Sequence, residues 1–153
     1  MTTTSSGLHG SFTTGILPTT WIFDSGCSHH MTPALSLLSH CVSPASPINI
    51  FTANGSSMHV VSIRSILPTS SSFLSILNVF YVPQLSLSLL SISQLSDSGF
   101  DVLFSSSGCV VQDRRSKKQI RTGRRVGDLY VLENLHVPIE STTTVLSSFS
   151  LDQ

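Results

Sequence analysis

Apolar residues alternate with polar ones over most of this chain, and Gly, Pro, Asn and runs of Ser and Thr cut the alternation into short pieces. A period of two places successive side chains on opposite faces of an extended segment, so the pattern predicts short half-buried strands joined by turns. Residues 20–23 are a β-favouring run that predicts a buried strand, broken by Ser25-Gly26. Prolines at 33, 44 and 47 predict connecting loop over 32–47, with at most one helical turn at 34–38. Asn54-Gly55 sits between alternating apolar residues, and because both turn positions need positive φ it predicts a hairpin of 48–53 with 56–61.

Further strands are expected at 60–67, 73–77 and 79–82, the last stopping at Pro83. Leu85, Leu87 and Leu89 keep strand spacing, whereas Leu90, Ile92 and Leu95 move towards helix spacing, so a strand should run into a short helix ending at Gly99. Residues 100–104 and 109–112 flank a second hairpin turn at 105–108, and Ile120 and residues 129–132 give the last strands. Residues 1–18 read as a flexible arm and the Ser/Thr-rich stretch 141–153 as a disordered tail. The sum is an all-β fold with one short helix, a small barrel or sandwich.

Composition narrows the class. With 153 residues, 40% of them hydrophobic, the chain fits one domain. Lys+Arg and Asp+Glu are 8 each, so no overall attraction to nucleic acid or membrane is expected. Zero net charge with a mean hydropathy of +0.28 suggests a surface that associates with other copies. The first twenty residues lack the basic start and apolar core of a signal peptide, and Ser and Thr interrupt every run of membrane-spanning length, so a soluble cytoplasmic protein is expected. Three cysteines without CxxC spacing argue against a disulfide framework and fit a reducing compartment.

The chemistry concentrates where Trp21-Ile22-Phe23 runs into Asp24-Ser25-Gly26. A carboxylate at the end of a buried strand must face water or be held in a specific site, because burying it unpaired costs several kcal/mol or forces its protonation. Two such carboxylates held close share one proton: the ionised one activates water and the protonated one polarises a carbonyl. Gly26 permits close backbone approach, and the Ser25 hydroxyl is placed to brace the turn. The tripeptide recurs as Asp97-Ser98-Gly99, where it reads as the end of a helix with an exposed acid. From the tripeptide alone, Asp24 is either an exposed turn residue or half of a catalytic pair. In the second case one chain holds half a site and a symmetric homodimer must complete it.

The residues Trp21-Ile22-Phe23-Asp24-Ser25-Gly26-Cys27-Ser28-His29-His30-Met31-Thr32 resemble the protease segment of copia-type retrotransposon polyproteins. The resemblance continues in order through Phe51-Thr52-Ala53-Asn54-Gly55-Ser56, Asn78-Val79-Phe80-Tyr81-Val82-Pro83, the stretch from Leu87 to Leu95, and Gly127-Asp128-Leu129-Tyr130-Val131-Leu132. It implies a small closed β-barrel of retropepsin-like type over residues 19–112, followed at 113–140 by a basic linker and the start of the pre-integrase region. It further implies an aspartic endopeptidase that is active as a homodimer and cuts the element's own polyprotein, in the cytoplasm or a virus-like particle. Asp24 is then the catalytic acid, Ser25 and Gly26 the turn that braces it, Leu89-Leu90-Ser91 the strand behind the loop, and 56–67 the flap over substrate. No cofactor or metal is implied, and the partners are a second copy and the polyprotein substrate. Ser62 and Arg64 stand where such flaps carry glycine. The alternative is therefore an inactive remnant that serves only as a folded or interaction module.

Two other clusters gather side chains capable of chemistry. Cys27, His29, His30, His40 and Cys41 match no structural-zinc spacing, and the favoured reading is a polar loop in which His30 bonds to backbone near the Asp24 turn. Arg114, Arg115, Lys117, Lys118, Arg121, Arg124 and Arg125 are seven of the eight basic residues. No aromatic residue is interleaved among them for base stacking, so they read as a solvated hairpin tip or exposed linker.

Overall fold

The computed structural model describes residues 3–4, 16–17, 19–67 and 74–132. In chain order the strands are β1 (Thr3–Thr4), β2 (Trp21–Asp24), β3 (Met31–Thr32), β4 (Ser39–Val42), β5 (Ile48–Thr52), β6 (Ser57–Val60), β7 (Ser62–Ile66), β8 (Ile76–Tyr81) and β9 (Ser88–Ser91). Helix α1 (Ile92–Asp97) follows, and then β10 (Phe100–Phe104), β11 (Gly108–Asp113), β12 (Gln119–Val126) and β13 (Leu129–Leu132). One 3-10 turn, Leu35–Leu37, lies between β3 and β4. Among the described residues the fold is all-β with one short α-helix, as the sequence pattern predicts.

Strand β2 is central, and its unbroken apolar run has a plain cause: both of its faces are buried. Trp21 and Phe23 enter one core with Leu90, Leu95, Val111 and Leu132. Ile22 enters another with Met31, Phe80, Leu89 and Val131. Across the main sheet the order is β10-β11-β12-β13-β2-β9-β3-β8-β7-β4. The chain leaves β2, crosses over β9 and returns on the far side of β9 as β3, so the loop after Asp24 wraps over the strand that leads into α1.

The sheet is not closed among the described residues. Strands β10 and β4 are its edges, and β5 and β6, which could carry the ladder round, pair instead with each other and with β1 in a second sheet. That hairpin turns at Asn54-Gly55 as predicted, with Gly55 at φ +88° and the Asn54 side chain accepting from the Ser56 amide at 3.1 Å. The stretch expected as a flap divides: β6 belongs to this separate hairpin, whereas β7 lies in the main sheet between β4 and β8.

Within the stretch 113–140, expected as a basic linker and the start of the pre-integrase region, the strands expected at Ile120 and 129–132 form as β12 and β13, and residues 133–140 lie outside the described residues. β12 pairs with β11, and β13 pairs with β2 through Val131↔Ile22 and Leu132↔Trp21. Val131 and Leu132 are buried there, and this burial holds the segment in the domain. Strand β4 is an addition to the expected loop. All four of its residues are exposed, so it carries no alternation; it pairs with β7, where the Ser39 hydroxyl also donates to the Ser65 carbonyl at 3.1 Å. Where two strands were expected at 73–77 and 79–82, one strand runs through, with an irregularity at Asn78 (φ 57°). Apart from Thr3–Thr4 and residues 16–17 the N-terminal arm lies outside the described residues, as does the tail at 141–153.

Candidate active site around Asp24

Asp24 ends β2 opposite Ser91, the last residue of β9. The Gly26 amide donates to Asp24 Oδ1 at 2.7 Å, which fixes the carboxylate's orientation. A Cβ on Gly26 would stand 3.1 Å from that oxygen, so any larger residue there would press on the carboxylate and make it shift by a few tenths of an ångström. Oδ2 is shielded from solvent and has no hydrogen-bond partner among the described residues.

Ser25 is exposed, and its hydroxyl makes no bond among the described residues. The brace expected of it comes from Ser91, whose hydroxyl donates to the Cys27 carbonyl at 2.8 Å while its amide donates to His30 Nδ1 at 2.9 Å. The same hydroxyl caps α1 by accepting from the Gln94 amide at 3.2 Å, and Gln94 Oε1 accepts from the His30 amide at 2.6 Å. Below this junction the buried hydroxyls of Thr32 and Ser88, 2.6 Å apart, fix β3 beside β9. His30 therefore does bond to backbone near the Asp24 turn. Ser91 lies behind the loop as expected of the 89–91 strand, but its bonds to the loop and the part of Gln94 carry no expectation from the sequence, although Ser91-x-x-Gln94 has a capping-box signature that marks both.

Burial dominates the electrostatics. The Cys27 thiol is pushed up to about 12 by burial and then by the Asp24 charge, so it stays protonated, with its Sγ 3.7 Å from the Asp24 carbonyl. Burial, and after it His29, pushes His30 down to about 3. His29 is lowered by burial too, its ring stacked on Phe80 with centroids 4.2 Å apart. Cys27 and His30 are thus engaged inside the loop, while His40 and Cys41 lie exposed on β4. No group of three or more His, Cys, Asp or Glu among the described residues is placed to hold a metal ion.

The other sequence candidates are placed apart from Asp24. Asp97 ends α1, exposed, just before Gly99 at φ +93°, which makes the second Asp-Ser-Gly a helix terminus. In the basic run, Arg114 bonds to Asp101 at 2.8 Å and to the carbonyls of Ser96 and Phe100. Arg125 donates to the Gly127 carbonyl at 2.8 Å and lies 5.9 Å from the Tyr130 ring centre. Tyr130 meets Phe104, which meets Phe23 edge-on at 6.2 Å, so this side of the sheet buttresses the residue before Asp24. At the two positions lacking glycine, Ser62 is buried and accepts from Arg64 Nε at 3.0 Å.

Residues 21–100 match the family described as "Pol polyprotein, beta-barrel domain". Over 112 residues the chain is 30% identical to the retrovirus-related Pol polyprotein from transposon RE2 of Arabidopsis thaliana, a match covering 72% of this chain and 8% of that polyprotein. No solved structure matches.

Proposed function

The chain belongs to the Pol polyprotein β-barrel domain family of retrotransposon polyproteins, and from that premise we propose that it is a copia-type aspartic endopeptidase that processes such a polyprotein. The observation that carries the reading is the Asp24 carboxylate, held by the Gly26 amide at the end of a strand buried on both faces. One chain supplies one such acid, so the working unit is a homodimer with the two Asp24 side chains on its two-fold axis. Oδ1 is the oxygen each chain offers to the other, because the Gly26 amide holds it at the exposed side of the loop. One proton is shared across the pair. The ionised carboxylate takes a proton from the attacking water, while the protonated one donates to the scissile carbonyl as the tetrahedral intermediate forms.

The second reading, an inactive remnant retained as a folded module, draws support from β7. The Ser62–Arg64 bond and the Arg64 guanidinium 5.9 Å from the Tyr81 ring centre tie this strand down where a mobile flap needs freedom. Cleavage of a polyprotein containing this segment, compared with its Asp24→Asn variant, separates the two readings. Sedimentation supplies a further check, since a strict monomer at working concentration leaves no dyad to act.

A further inference from the structure

A Ser-x-x-Gln sequence at a helix start ordinarily closes on itself: the Ser side chain takes the third amide, and the Gln side chain returns to the Ser amide. At α1 only the first half closes, from the Gln94 amide to Ser91 Oγ. The second half is opened by the loop after Asp24. The Ser91 amide goes to His30 Nδ1 and Gln94 Oε1 takes the His30 amide, so the imidazole residue is inserted into the capping box. The Ser91 hydroxyl then holds the middle of the same loop at Cys27.

We propose, resting on the protease reading of Asp24, that His30 and Ser91 are positioning residues for its carboxylate, His30 completing the α1 capping box only as a neutral imidazole whose protonation loosens the 24–30 loop. The chemistry is that of the ring nitrogens. To accept from the Ser91 amide, Nδ1 must be bare and the proton must sit on Nε2; an imidazolium carries N–H at both and would set one donor against another. The one titratable group whose charge acts on the ring is His29, beside it in the same loop as Asp24 and Cys27. The elements packed on it, β8, β9 and the first turn of α1, present Phe80, Ser91 and Gln94, none of which changes charge.

The sign follows from burial. Below the ordinary 6.5 the unfolded chain takes a proton on His30 that the folded chain resists until about 3. The stabilisation is therefore complete above 6.5 and is lost as pH falls through that window. In the His30→Asn variant the amide oxygen stands near the Nδ1 position, accepts from Ser91 and does not titrate. His30→Ala removes the acceptor altogether.

The test takes the full chain and its two variants through equilibrium unfolding and Asp24-dependent polyprotein cleavage from pH 7.5 to 4. Relative to His30→Asn, the wild-type folding constant is expected to fall by up to roughly tenfold more for each pH unit below the ordinary His value. His30→Ala is expected to lose roughly tenfold or more in kcat with KM little changed, and His30→Asn to recover it. Parallel pH profiles for wild type and His30→Asn, or equal kcat in all three, overturn the proposal. If the Asn variant does not fold, ¹⁵N NMR of the wild-type ring decides: a neutral Nε2–H tautomer retained to pH 5 supports it, and titration near 6.5 with unchanged loop amides overturns it. If the wild type shows no Asp24-dependent cleavage, the protease reading fails by itself, and the unfolding and NMR results still decide the clamp.

Discussion

Ile22, one residue pair before the end of the strand that carries Asp24, lies directly opposite Val131 of β13. β2 therefore has β9 on one side and β13 on the other, and the second of these lies beyond residue 100, where the family match ends. Truncation after Asp113 removes β12 and β13 and uncovers one edge of β2. Losing the burial of Val131 and Leu132 costs roughly 1.5–3 kcal/mol each. The fluorescence of Trp21, the single tryptophan, should report loss of cooperative unfolding in that truncation and its retention in a chain ending after Leu132.

Gly123 shows how closely β12 is fitted to its neighbours. A Cβ there would stand 2.7 Å from both Cys109 Sγ and the Val131 carbonyl and 3.0 Å from the Phe23 ring. Gly123→Ala is expected to destabilise by about 1–3 kcal/mol in denaturant unfolding, because backbone cannot give way as a side chain can. Gly26→Ala is predicted to act on activity rather than on stability. Its Cβ meets only the Asp24 carboxylate, so kcat should fall with a stability change within about 1 kcal/mol.

The cysteines should differ sharply in reactivity. Cys27 and Cys109 are buried and both thiols are raised by burial, whereas Cys41 is exposed on β4. Brief treatment of the native chain with iodoacetamide at neutral pH should modify Cys41 alone, and all three should react in denaturant. Rapid modification of native Cys27 would contradict the packing of the loop, read by peptide mass spectrometry.

What the sequence makes legible here is local. The Trp21-Ile22-Phe23 run forecasts a buried strand, Asn54-Gly55 forecasts its hairpin, and Gly99 forecasts the helix end, because each depends on neighbours a few residues away. The pairing of Ile22 with Val131 and the bond from Ser91 to His30 join distant parts of the chain, and no periodicity within either segment announces them. Strand β4 leaves no signal in the sequence because it is exposed at every position. At the site, Asp24 and Gly26 sit together as their sequence suggests, but the expected role of Ser25 falls to Ser91, which threads behind the loop from β9.

Asp97 supplies an internal control for the Asp-Ser-Gly motif. It is exposed at the end of α1, so Asp97→Asn should leave both folding and cleavage unchanged. Loss of cleavage in that variant would mean that the assignment of the two motifs is reversed.

The most direct measurement is cleavage of a polyprotein containing this segment, wild type against Asp24→Asn, with dimer formation followed by sedimentation in the same samples. Processing by the wild type and its abolition in a variant that still folds and dimerises is the predicted result. Equal processing by both chains, or none by either, would contradict the assignment of Asp24 as the catalytic half-site.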